Sequence, residues 1–202
     1  MRTYPGLPEP RVEVLLDYEA SRTRYEGKSE FFIASLHLCG NTGTYVDSPR
    51  HRFRDGVDLA GLELGRLADL PIVVVDAAAT RAIDASSFDR VDVAGRAVLV
   101  RTGWSRHWRT ERYFSGAPYL TRAASEKLVA SGARFVGIDS LNIDDTADLA
   151  RPAHTALLGA GIPVCEHMAN LDALPAEDGR LHAVPLAWMG GATFPVRAYV
   201  VL

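Results

Sequence analysis

Four short apolar runs constrain this chain more than any other feature. They are Pro71–Asp76, Ala97–Arg101, Arg134–Ile138 and Val196–Leu202. Each is rich in Val, Ile or Leu, and their bounding residues include Gly, Pro or Asp, as buried strands require. Between the second and third lies Thr121–Ser131, with Thr121 as N-cap, Leu128 and Val129 in an apolar stripe, and Gly132 as the stop. Strand, helix and strand in that order predict a βαβ unit with a right-handed crossover. A second, shorter helix is predicted over Ala153–Leu158, ended by Gly159-Ala160-Gly161. Glu30–Cys39 alternates, with Phe32, Ala34, Leu36 and Leu38 on one face and Ser35, His37 and Cys39 on the other. Asn41 joins the second face if that strand continues.

No internal repeat or domain boundary interrupts the 202 residues, which fit one domain with a sizeable core. The expected architecture is α/β, a single domain over 1–202 with a mixed, strand-rich core and few helices. Hydrophobic residues at 48% and charged residues at 23% match an ordinary globular protein. A net charge of −3 supplies no basic surface for nucleic acid or anionic membrane. No apolar run approaches the roughly 20 residues needed to span a bilayer. Met1–Gly6 lacks the apolar core of a signal peptide, and two cysteines, Cys39 and Cys165, make no disulfide framework. These features predict a soluble, cytoplasmic protein without nucleic-acid or membrane partners.

Two segments carry the chemistry. Asn41–His51 reads Asn-Thr-Gly-Thr-Tyr-Val-Asp-Ser-Pro-Arg-His. Gly43 permits a tight turn, Pro49 stiffens the approach to His51, and loops placed by rigid strands concentrate catalytic groups. Asp47 and His51 are its candidate functional groups, with turn capping as the alternative role for Asp47. Pro152–Glu166 supplies a second histidine, His154, and a glutamate, Glu166, twelve residues later.

Together these segments resemble the cyclase family of metal-dependent hydrolases, to which bacterial kynurenine formamidase and isatin hydrolase belong. The first segment is similar to that family's His-x-Gly-Thr-His-x-Asp-x-Pro-x-His motif, with Asn41 and Tyr45 at the first two histidine positions. The second is similar to its distal motif. Val100–Trp104, Gly137–Ser140, Glu166–Leu174 and Phe194–Arg197 are further landmarks, in the expected order. The resemblance implies a kynurenine formamidase-like, swivelling β/β/α fold. It implies Asp47, His154 and Glu166 as ligands of one Zn²⁺ or Mn²⁺ ion, with His51 and Glu166 in acid/base roles. Relatives commonly form homodimers or homotetramers.

The departures restrict what the site can hold. An Asn carboxamide is a poor ligand, and a Tyr phenol with a pKa of about 10 must lose its proton to bind well. The family's second metal position therefore loses ligands here, while the Asp47, His154 and Glu166 set remains. His37 or Cys39 could enter the vacancy, since imidazole and thiolate both bind Zn²⁺. The bland reading makes Cys39 a small buried residue, and Cys165 a buried strand residue. Asn41 and Tyr45 are candidates for substrate binding. So is Trp104, with Trp108, Tyr113 and Phe114 as further aromatic candidates that suit a core equally well. His107, His167 and His182 are assigned to surface or packing.

Three functions fit these residues. The favoured one is hydrolysis of a small cyclic or aryl amide, lactam or lactone by metal-activated water. The second is metal-independent cyclisation, dehydration or isomerisation using His51. The third is non-catalytic binding of a small molecule, since a shared fold does not fix function.

Overall fold

A computed structural model of the chain describes residues 3–202. Its elements in chain order are β1 (Arg11–Leu16), α1 (Tyr18–Arg24), β2 (Ile33–His37), β3 (Tyr45–Asp47) and β4 (Leu70–Asp76). They continue with β5 (Ala82–Ile83), β6 (Ala97–Arg101), β7 (Tyr119–Leu120), α2 (Arg122–Ala130) and β8 (Phe135–Ile138). The last are α3 (Pro152–Gly159), β9 (Val164–Glu166), β10 (Arg180–His182), β11 (Thr193–Pro195) and β12 (Tyr199–Val201). Eight strands form one sheet in the order β11-β3-β9-β8-β6-β4-β10-β12. The centre, β4, β6, β8 and β9, is parallel, and the flanking pairs are antiparallel. This is the mixed, strand-rich α/β architecture with few helices that the sequence predicts. Among the described residues, no helix is long and apolar enough to cross a membrane.

The central strands are apolar on both faces because both faces are covered. Val73, Val75, Val98, Val100, Val136 and Ile138 pack with Leu128 of α2 and Leu157 of α3. The alternate residues Ile72, Val74, Ala97, Leu99 and Phe135 face a second cluster with Leu67, Leu171 and Leu181. The predicted βαβ unit is present, since β6 and β8 are parallel neighbours joined through α2. Thr121 caps α2 by accepting from the Ala124 amide at 3.2 Å. Two of the sequence landmarks meet at the end of β6. Asp139 accepts from the Thr102 and Gly103 amides, both at 2.8 Å, and so fixes the turn into Trp104.

Three expectations are corrected. The Glu30–Cys39 run forms a strand only over Ile33–His37, paired with β1 in a separate two-stranded ribbon. Of its alternating apolar residues, Phe32, Ala34 and Leu36 are exposed, Phe32 at 49% and Leu36 at 57%, and Leu38 is half-buried, so the periodicity marks no buried face. The C-terminal run splits, because residues 196–198 lie outside the strands and ladder pairing resumes only at β12. Cys39 is exposed rather than buried, while Cys165 is buried as expected.

Gly56 supports the loop after β3. A methyl on it would lie 2.6 Å from the Pro49 carbonyl group, which is backbone and cannot rotate away. Gly56→Ala is expected to displace the turn carrying His51 and to cost about 1–3 kcal/mol, as overpacking does. Gly65→Ala meets no atom within 4 Å and is expected to stay within about 0.5 kcal/mol of the parent. Paired denaturant titrations check both, and equal stabilities would refute this role for Gly56.

Candidate metal centre

β3 is three residues long and wholly buried. Its alternation turns Val46 into the core beside Cys165 and leaves Tyr45 and Asp47 on the opposite face. β9 runs antiparallel, with Glu166 directly across from Tyr45 and Val164 across from Asp47. Directly opposed residues share a face, so this register collects Tyr45, Asp47 and Glu166 on the helix side of the sheet. His51 follows on a single 3₁₀ turn, Pro49–His51, closed by its own amide donating to the Ser48 carbonyl at 2.8 Å.

His154 arrives from above, in the first turn of α3, where Pro152 begins the helix. Asp144 fixes it. One oxygen of Asp144 accepts the Ala153 amide at 2.6 Å, and the other accepts the His154 amide at 3.1 Å and the His154 Nδ1–H at 2.6 Å. A single carboxylate thus satisfies two helix-end amides and sets the imidazole's orientation. With Nδ1 so engaged, Nε2 is aimed at the β3 carboxylate.

Three groups converge there: one ligand atom each from Asp47, His51 and His154 lies within 4.8 Å of the others. His154 Nε2 is 3.6 Å from Asp47 Oδ2 and 3.6 Å from Glu166 Oε1, and His51 Nε2 is 3.9 Å from Asp47 Oδ1. These separations exceed hydrogen-bond length. Both Asp47 oxygens and His154 Nε2 are buried without a hydrogen-bond partner. Unsatisfied buried polar atoms are rare because each costs about 1–3 kcal/mol. Three of them facing one point, from a carboxylate and an imidazole, fit a hard or borderline divalent cation.

The electrostatics agree with that fit. Burial pushes the Asp47 carboxyl above its usual range, although the neighbouring imidazoles pull against it. Burial alone would lower the His154 pKa. The Asp144 hydrogen bond, the approach of Asp47 and the Glu166 charge outweigh it and push the pKa up to about 10. Asp144 moves the other way: burial works to raise it, but its His154 and backbone donors hold it below the usual carboxylate range. A proton on His154 therefore neutralises part of the buried negative charge.

Tyr45 occupies a histidine position of the resembled motif and behaves differently from one. Its hydroxyl donates to Glu166 Oε2. Burial, followed by the charges of Glu166 and Asp47, drives the phenol pKa well upward. It is an O–H donor to the glutamate. Glu166 also accepts the Ile143 amide on Oε1 at 2.6 Å and the Asn142 side chain on Oε2 at 3.4 Å. Asn41 accepts from Thr193 Oγ1 at 3.3 Å, tying the motif's start to β11.

The remaining candidates separate from this centre. His37 and Cys39 are exposed beyond or at the end of the β1–β2 ribbon and do not join the cluster. Trp104 is buried with Tyr4 and Tyr113 and donates its Nε1–H to the Tyr113 carbonyl at 3.1 Å. Trp108 and Tyr113 instead line a cavity of about 580 Å³ together with His167. A smaller cavity of about 320 Å³, lined by His51, Arg52, Asn142, Leu149, Arg151 and His154, opens the centre to solvent. Sequence reasoning missed Asp144 and Asn142. Asp144 lies ten residues before His154, in a loop with no periodic or motif signal.

Such a fold, with an Asp/His cluster where β3, its following turn and α3 meet, defines a class. The chain belongs to the putative cyclase family, whose model matches residues 3–145. It is 27% identical to a kynurenine formamidase of Bacillus cytotoxicus over 199 residues, covering 98% of this chain and 90% of that protein. A kynurenine formamidase of Bacillus cereus is 28% identical with the same coverage. The fold is similar to that of isatin hydrolase A from Ralstonia solanacearum, with a TM-score of 0.80 and 23% identity over 98% of this chain and 83% of that one. It is also similar to a structure described as a potential metal-dependent hydrolase with cyclase activity, with a TM-score of 0.79, 22% identity and coverage of 99% and 94%.

A raised His154 pKa has a definite sign. In metal-free protein its contribution to stability is full below pH 6.5, falls as pH rises, and is gone above about 10. Metal binding must displace the same proton, so affinity should rise with pH over that window. Thermal unfolding of chelated protein is expected to weaken from pH 7 to 10, while Zn²⁺ or Mn²⁺ stabilises it increasingly over that range. A metal-induced stabilisation independent of pH would contradict this.

Proposed function

We propose that the chain hydrolyses an amide, lactam or lactone bond of a small molecule, using one divalent ion held by Asp47, His51 and His154. The observation that carries this is the convergence of both Asp47 oxygens and His154 Nε2, all buried and unpaired, on one point beside His51. When bound, Zn²⁺ or Mn²⁺ would supply Lewis acidity toward water and a carbonyl oxygen. The named relatives, kynurenine formamidases and isatin hydrolases, support bond cleavage of this type.

The chain's own residues divide the remaining work. Asp144 holds the His154 ring so that Nε2 presents its lone pair. Glu166, 3.6 Å from His154 Nε2, would take a proton from water and return it to the leaving group. Tyr45 and the Ile143 amide hold that carboxylate in place. Arg52 and Arg151 line the solvent-facing cavity, which favours substrates carrying negative charge near the scissile bond. Asn41 acts indirectly, by bracing the loop that carries Tyr45.

One observation favours a second assignment. Glu166 Oε1 is nearer to His154 Nε2 than His51 Nε2 is to Asp47 Oδ1. Glu166 would then complete the ligand set and His51, 34% exposed at the mouth, would be the acid/base group. Metal content separates the two: His51→Ala loses the ion in the first assignment and keeps it in the second.

Turnover of N-formylkynurenine, isatin or a simple lactone should require the ion, disappear in EDTA and return with Mn²⁺ or Zn²⁺. Asp47→Ala and His154→Ala should each lower kcat/KM at least about 100-fold. Asp144→Asn should weaken metal affinity by roughly 10–100-fold. Turnover that survives EDTA would reject metal dependence and favour the metal-independent reading.

We also propose that the protein is a homodimer or homotetramer in the cytoplasm, where Cys39 and Cys165 stay reduced. The β1–β2 ribbon supports assembly. Val12, Val14, Leu15, Tyr18, Phe31, Phe32, Ile33 and Leu36 are all at least 49% exposed. A lone two-stranded ribbon is marginal in water, and such patches mark contact surfaces. Light scattering should give a multiple of the 22.0 kDa chain, reduced to one chain by Val14→Glu with Ile33→Glu. A monomeric parent protein would contradict it.

A further inference from the structure

The cavity of about 580 Å³ is separate from the metal centre, and neither Asp47, His51 nor His154 lines it. Trp108, Met168 and Val196 supply apolar walls, and His167 and Arg197 supply the charged or polar groups that the metal centre leaves unused. Its volume suits a small ligand.

His167 is built into this wall. It is only 8% exposed, and its backbone is left-handed, with φ 55°. The Ser140 carbonyl accepts its amide at 3.2 Å, and Thr44 Oγ1 donates to its carbonyl at 2.7 Å. A non-glycine residue held in that conformation needs such external restraint. The Tyr113 hydroxyl lies 2.8 Å from His167 Nδ1. Burial drives the Tyr113 phenol upward and the His167 imidazolium downward.

Proton placement then follows. Nδ1 is the one hydrogen-bond partner of the Tyr113 hydroxyl among the described residues, and we assign the tautomer in which the hydroxyl donates to it. An imidazole that accepts at Nδ1 carries its hydrogen on Nε2. That Nε2–H has no acceptor among the described residues. Arg197, at the rim, is exposed and makes no salt bridge among them. No Asp or Glu lines the cavity. Apolar walls, an N–H donor open to the cavity and an uncommitted guanidinium together lack one thing, a flat apolar ligand with a negative acceptor.

We infer that this cavity is a second binding site, which takes a small planar aromatic carboxylate between Trp108 and Met168 with its acceptor oxygens toward His167 Nε2 and Arg197. Tyr45 connects it to the metal centre. Its ring lies 5.4 Å from the His167 ring, while its hydroxyl donates to Glu166. An occupant therefore touches His167, whose ring packs against the residue that holds the proposed proton-handling carboxylate.

Benzoate is the probe, titrated into EDTA-treated protein by calorimetry and by tryptophan fluorescence, with benzyl alcohol as the uncharged comparison. Saturable 1:1 binding of benzoate is expected, with benzyl alcohol weaker by at least roughly tenfold. His167→Phe keeps a ring in place but removes the donor, and Arg197→Ala changes only an exposed side chain. Each should weaken benzoate about tenfold or more. Val196→Trp should fill the space and abolish binding. Asp47→Ala should bind benzoate like the parent, so the site stands even if the metal-hydrolase reading fails. Absence of saturable binding, equal binding by parent, His167→Phe and Arg197→Ala, or a loss confined to Asp47→Ala would each overturn the proposal.

Discussion

The pairing of β3 with β9 is the constraint on which the rest of the structure depends. Three residues on each strand decide which side chains reach the site and which enter the core. With Tyr45 opposite Glu166 and Val46 opposite Cys165, polar groups face α3 and apolar ones face the second core cluster. A slip of one residue would send Asp47 into the apolar cluster and Val46 toward His154. Both neighbours oppose such a slip. β11 holds β3 from the other edge through Thr193 opposite Asp47, and β8 fixes β9 through Gly137 opposite Cys165.

That register concentrates negative charge where water is excluded. Asp47 and Glu166 are both about 1% exposed or less, and burying carboxylates so close together is costly unless positive charge accompanies them. Glu166 is held by Tyr45 and the Ile143 amide, whereas Asp47 has no donor at hydrogen-bond distance. A proton on His154 or a cation between the ligand atoms can each answer this need. Competition between them is the physical link between pH, stability and metal affinity. Tyr45 fits the same logic. A neutral phenol at this position gives the glutamate a donor.

Much of this was legible in the sequence, and the limits were physical. The βαβ unit was readable because Val98, Val100, Val136 and Ile138 lie on strands short enough to recognise and are separated by a capped helix. The two segments that the structure brings together were readable because Asp47, His51, His154 and Glu166 lie in two local patterns. The short strands β3, β9 and β11 carry too few residues for periodicity to show. Glu30–Cys39 misled because its alternating pattern belongs to a ribbon whose exposed side chains have no covering layer in the chain itself. Asp144 and the Tyr113–His167 pair depend on contacts between distant segments, which no local pattern records.

Anomalous diffraction from crystals grown with Mn²⁺ or Zn²⁺ tests the central claim most directly. The account expects one strong peak per chain, within coordination distance of Asp47, His51 and His154. No peak at that position, with the three side chains ordered and the metal present at saturating concentration, would contradict it.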